Sequence, residues 1–207
     1  MLKDGEITSS ISILKKALDD LKNELKKFEI SQPTGDANVM PIVRSINVVE
    51  DEDIIEDSNQ LFDFFPKAFE VASGASEQRA VVALLYNLAF AFDVKAMFSE
   101  DPESAHYAQD RAIDLYTTAL RVASTSWNSD DMNAMACVTV ALVNNLGRLQ
   151  SLQLSFVDTK HLLKLATDLL NSPNASGISD VDRLVLNSSI APFVCLGNVV
   201  LSNAPMA

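Results

Sequence analysis

The chain has little of what interrupts helices: six glycines and seven prolines in 207 residues, several of the prolines in breaks between apolar patterns. Scarce Gly and Pro alongside abundant Ala and Leu argue for helices. Cysteine is also rare. Cys137 and Cys195 lie far apart in separate apolar runs, with no CxxC spacing, so no thiolate metal or redox signature exists and buried free thiols are expected. Basic residues are outnumbered, 16 Lys and Arg against 28 Asp and Glu, for a net charge of −12. Residues 1–27 sum to +1 and the remaining 180 carry −13. Such a field repels nucleic acid and anionic membranes and suits a basic or mixed protein partner better.

No long uninterrupted apolar run is present. The longest stretch, Leu184 to Leu201, is broken by Asn187, Ser188, Ser189, Pro192 and Asn198, and reads as a core segment and not a membrane span. MLKDGEITSS has no apolar signal region, so no secretory signal is expected and a reducing, cytoplasmic setting is. The N-x-S matches at Asn174 and Asn187 carry little weight without a secretory route. Catalytic signatures are missing as well. His106 and His161 fall in different helical patterns without a paired ligand at i, i+4. There is no G-x-S-x-G, P-loop or dinucleotide glycine pattern. Six acids crowd Glu50 to Asp57, but without EF-hand spacing, so a solvated loop or helix start is expected there. These absences predict neither enzyme, cofactor nor metal.

What is present is globular and helical: 48% of residues are hydrophobic and 21% charged, enough for one domain with a substantial core. Ile7, Ile11, Leu14, Leu18, Leu21, Leu25 and Phe28 recur at three- and four-residue steps, predicting an amphipathic helix over Gly5–Phe28, capped near Thr8. Residues 31–76 change character. VMPIVRSINVV and FPKAFEV are two short β-branched or aromatic runs that could pair as a hairpin insertion. Glu77–Phe98 is apolar nearly all round and should sit centrally. Pro102 then starts a helix reaching about Ser124, with Tyr107, Ala108, Ala112, Leu115, Tyr116, Ala119 and Leu120 inward. Trp127 is expected to anchor the next turn. Asp131 to about Leu154 forms a helix with Met135, Val138, Leu142, Leu146 and Leu149 inward, and another follows through Leu170. After the Asn171–Gly177 loop, Ser179 or Asp180 caps a last helix that Pro192 kinks or ends.

The helices repeat one another. Leu85-x-x-Leu88-Ala89-x-x-Phe92 returns as Val143-x-x-Leu146-Gly147-x-x-Gln150. The second-helix pattern Ala112-x-x-x-Tyr116-x-x-Ala119 returns as Thr159-x-x-x-Leu163-x-x-Ala166, and Ser10-x-x-x-Leu14-x-x-Ala17 precedes both. Small residues at such crossings let antiparallel helices approach closely. GEITSSISILKKALDDL, YNLAFAF with AIDLYTTAL, and LVNNLGRLQ resemble the tetratricopeptide (TPR) repeat, more specifically TPR-like proteins with lengthened helices that are numerous in diatoms. The spacing departs from the ordinary period of about 34 residues: Ala119 to Ala166 is 47 and Leu88 to Leu146 is 58. The first helix also lacks its usual mate, so either the insertion covers it or the chain is a piece of a longer one.

The resemblance implies an all-α, right-handed array of antiparallel helix pairs, about six long helices in one domain over 1–207. A half repeat at 5–28 precedes an insertion at 31–76, repeats at 77–124 and 130–171, and a terminal helix at 178–202. In such proteins the first helix of each unit lines a concave groove that holds a peptide, and Asn87 and Asn145 match the asparagine that hydrogen-bonds an extended ligand's backbone. Neighbouring groove positions are Tyr86, Phe90 and Asp93 on one helix and Asn144, Arg148 and Ser151 on the next. The competing expectation is that these asparagines only cap or bridge helices. Only Arg148 is basic, so the Lys/Arg clamp for a C-terminal carboxylate is absent. The expected function is a non-enzymatic protein-interaction module for a peptide or helix, favouring a basic partner. The alternative is a structural element that self-associates, as a homodimer, through the unpaired N-terminal helix face.

Overall fold

The fold is that of a computed structural model, which describes residues 4–28, 43–47, 64–71, 75–125, 129–153, 156–172, 178–188 and 190. The acidic run at 50–57, Trp127, residues 173–177, Pro192 and Cys195 lie outside them. Of the described residues 83% are helical, so the protein is predominantly α.

α1 (Asp4–Phe28) is followed by β1 (Val43–Asn47), β2 (Lys67–Val71), α2 (Glu77–Met97), α3 (Pro102–Ser124), α4 (Ser129–Leu152) and α5 (Phe156–Leu170). A further helical segment, here α6, covers residues 180–188. α1 begins upstream of Thr8, so Thr8 lies inside it and is no cap. Ser76 Oγ accepts from the Arg79 N–H at the start of α2, and Asp101 Oδ2 from the Ser104 N–H at 3.0 Å, with Pro102 in the first turn of α3. Ser179 Oγ accepts from the Asp182 N–H at 3.1 Å and caps α6.

α2 is the axis of the structure. Twelve of its residues are buried, because helices cover it on more than one side. It is long and apolar enough to cross a membrane, yet 67% of its most apolar window is buried inside the protein, which a central core helix also satisfies. α3 packs along α2 through a stripe of Ala108, Ala112, Tyr116, Ala119 and Ala123. The four alanines keep the two backbones close, while Tyr116 fills the groove. Tyr107 departs from its inward assignment: it is 61% exposed, since one residue off the stripe turns a side chain by about 100°.

α1 has a mate, and it is α2. Ile7 and Ile11 are buried in that contact, whereas Ile13 is 66% exposed. α4 is buried on every side from Val138 to Leu149, and α5 packs on it with Leu162, Ala166 and Leu170 inward. β1 and β2 pair antiparallel, with Ser45 opposite Phe69 and Asn47 opposite Lys67. β2 lies against α2, and β1 touches α4.

Candidate functional site

α2 and α4 each present polar residues at helical spacing toward the same extended segment, residues 64–71. On α2 these are Tyr86, Asn87 and Asp93, and on α4 Asn144, Asn145 and Arg148; steps of three, four and seven residues keep each set on one face.

The segment Phe64–Phe65–Pro66–Lys67–Ala68–Phe69 runs across both helices. In a strand, the N–H and C=O of one residue point to one edge and those of the next residue to the other. Residues 65, 67 and 69 therefore share an edge, and each meets a side chain. Asn145 Oδ1 accepts from the Phe65 N–H at 2.9 Å, and its Nδ2 donates to the Phe65 C=O at 3.4 Å. The Tyr86 hydroxyl donates to the Lys67 C=O at 3.0 Å. Asn87 Oδ1 accepts from the Phe69 N–H at 2.9 Å, and its Nδ2 donates to the Phe69 C=O at 2.7 Å. Ala68 and Glu70 are left for β1, and Pro66, which has no N–H, precedes the paired register.

This ladder has a fixed polarity. The single hydroxyl hydrogen of Tyr86 goes to Lys67, so its oxygen accepts from Asn145 Nδ2 at 3.2 Å. The same Nδ2 lies 3.2 Å from the Tyr116 hydroxyl, so its two hydrogens serve three acceptors. Asn144 Nδ2 donates to Asn145 Oδ1 at 3.2 Å and holds the amide in place. Turning the Asn145 amide over would set its NH2 against the Phe65 N–H, so the backbone selects the orientation.

The side chains of the segment are as deeply held as its backbone. Phe65 is fully buried, and Phe64 and Phe69 nearly so. Phe64 stacks on Phe90 at 5.3 Å between centroids, Phe69 meets Tyr86 edge-on at 4.8 Å, and Tyr86 lies 5.6 Å from Tyr116. Lys67 Nζ reaches Asp182 Oδ1 of α6 at 2.7 Å, and Asp182 Oδ2 accepts from Ser179 Oγ at 2.7 Å.

Beneath the segment, Arg148 pairs with Asp93 through Nη2 and Oδ1, and its guanidinium lies 5.2 Å from the Phe64 ring. Burial raises the Asp93 carboxyl above its ordinary value; the Arg148 charge and hydrogen bonds from Arg148 and Tyr116 offset only part of this. Burial also holds the Tyr86 and Tyr116 phenols well above 10.0. It pushes the Cys137 thiol up to about 12, helped by the Asp182 charge and opposed by Lys67. These phenols and this thiol stay protonated at neutral pH and serve as hydrogen-bond partners or packing groups. Among the described residues, no group of three or more His, Cys, Asp or Glu is placed to hold a metal ion.

All six groove candidates, Asn87, Asn145, Asn144, Arg148, Tyr86 and Phe90, therefore converge on one region, as do Asp93 and Ser151 nearby. The chain's own residues 64–69 occupy most of the face they form, and the two asparagines hold that segment's backbone. Only Asn87 keeps partial exposure. It borders an open, mostly apolar cavity of about 340 Å³ between α1, β2 and α2, lined also by Ile7, Leu14, Ala68, Phe90 and Val94. Sequence reasoning placed the asparagines but missed their occupant, the Tyr116 hydroxyl and the Lys67–Asp182 pair. The available signal was the aromatic density of FFPKAF, which needs a cover no hairpin supplies alone. No family model matches the chain, and neither a curated protein nor a solved structure matches it.

Proposed function

We propose that the chain is a non-enzymatic protein–protein interaction module of TPR-like helix pairs, which binds an extended peptide segment across α2 and α4. The observation that supports this reading is the bidentate ladder: Asn87 and Asn145 each accept from and donate to the backbone of a single residue, four positions apart. Such contacts hold any extended chain by its peptide groups, as in strand addition to a sheet edge, and leave side-chain pockets to set preference. A partner segment takes the positions that residues 65–69 occupy. The acidic balance of the chain favours a basic segment there.

Peptide display against the immobilised folded chain tests the proposal. Enriched peptides should lose at least about tenfold in affinity for the Asn87→Ala, Asn145→Ala chain. An empty selection, or peptides that bind both chains equally, rules the reading out.

A second reading, self-association through α1, draws on the exposed Ile13 beside the open cavity. Light scattering decides it: a dimer that Ile13→Asp dissolves favours assembly.

A further inference from the structure

We infer that residues 64–69 are an intramolecular stand-in for the partner, and that their side chains describe its class: an extended segment of the form aromatic–x–Lys–x–aromatic. This rests on the proposed reading of the ladder and adds the specificity that backbone contacts alone cannot supply.

Three features define the class. The position of Phe65 is fully enclosed, so it demands a large flat apolar group opposite Asn145. The position of Phe69 ends edge-on against Tyr86 beside Asn87, and selects a second aromatic ring. Between them, Lys67 Nζ meets Asp182 Oδ1 at 2.7 Å, and Ser179 holds the other carboxylate oxygen. Opposite charge at this depth selects a cation and rejects an acid, because a second carboxylate beside Asp182 would be both desolvated and repelled. Phe65, Lys67 and Phe69 share the backbone edge that the ladder holds, so the three preferences are read at alternate positions of one strand.

The two ends of the site differ in access. Asn145 is fully buried, whereas Asn87 is partly exposed and borders the 340 Å³ cavity. Exchange of one segment for another therefore begins at the Phe69 end, where a competing strand can reach Asn87 first. Tethering gives the resident segment an effective concentration on the order of millimolar. A partner must match its contacts and add others, or meet a chain whose own segment is loosened.

The test uses the full chain and a labelled peptide of its residues 62–71, Phe-Asp-Phe-Phe-Pro-Lys-Ala-Phe-Glu-Val. Lys67→Glu in the protein loosens the resident segment by charge alone, leaving the aromatic core intact. That variant should bind the peptide at least about tenfold tighter than the wild-type chain does, and a peptide with glutamate at the lysine position should not bind either. In the wild-type chain, whose folding is not at issue, excess peptide should speed hydrogen exchange at the Phe65 and Phe69 amides and leave α2 and α4 protected. Unchanged exchange together with no binding by either chain overturns the inference and makes 64–69 a permanent core element. Binding indifferent to the lysine and aromatic positions, but lost on Asn87→Ala, Asn145→Ala, overturns the specificity while sparing the ladder. Binding that survives both alanines overturns the ladder as well.

Discussion

Asn145 holds both backbone groups of Phe65, a residue 80 positions earlier, with its oxygen 2.9 Å from the amide nitrogen. One side chain thus satisfies a buried donor and a buried acceptor that would otherwise lack partners. Removing it leaves both groups stranded. Asn145→Ala should destabilise the fold by about 2–4 kcal/mol, and Asn87→Ala, at the more exposed end, by about 1–2 kcal/mol. Urea unfolding followed by far-UV circular dichroism measures both; equal and negligible effects would contradict the ladder.

Asp93 and Arg148 form a buried pair with side chains 0% and 4% exposed. Either single replacement, Asp93→Leu or Arg148→Met, strands a charge and should cost about 3–5 kcal/mol, whereas the double replacement should lie near wild type. A double-mutant cycle reads this directly. Additive losses would show that the two residues do not act as a pair.

Alkaline pH should weaken the fold. Below 9.0 the Cys137 thiol is protonated in folded and unfolded chains alike, so its contribution is fully present. Between 9.0 and about 12 only the unfolded thiol releases its proton, which favours unfolding as pH rises. Tyr86 and Tyr116 act in the same direction, since burial raises both phenols. The urea midpoint should fall between about pH 8 and about pH 10.5. Cys137 is only partly buried, so it should react with a thiol reagent more slowly than an exposed cysteine because its thiolate is scarce, and labelling at the rate of a free thiol would contradict the raised value.

Lys67 fastens β2 to α6 through Asp182, with both side chains about nine-tenths buried. Lys67→Met should cost about 1–3 kcal/mol because Asp182 loses its cation. The loss should be local, appearing as faster amide exchange in residues 180–188 before the rest of the chain. Unchanged exchange there would mean that the pair carries no structural load.

Tyr116 and Tyr107 lie nine residues apart on α3 with opposite environments, fully buried and 61% exposed. Tyr116→Phe removes one hydroxyl from the Asn145 network and should lower stability by about 1 kcal/mol. Tyr107→Phe should change it by less than about 0.5 kcal/mol. Thermal melts of the two variants compare them, and similar shifts would argue against the buried network.

Much of this fold was legible before any tertiary contact was known. Apolar spacing, Ser179 as a cap, Pro102 in a first turn and the alanine stripe of α3 act within a few residues of one another, and local rules govern local hydrogen bonds and faces. Tyr86, Asn87, Phe90, Asn144, Asn145 and Arg148 were expected together only through the resemblance to TPR repeats, and the structure brings them to one region. Whose backbone those amides hold was decided only by the tertiary structure. An asparagine carries a donor and an acceptor suited to any peptide group, and nothing near Asn145 in sequence points to Phe65. That pairing follows from burying three phenylalanines of 64–69 against α2 and α4, a contact between distant stretches that no local pattern encodes.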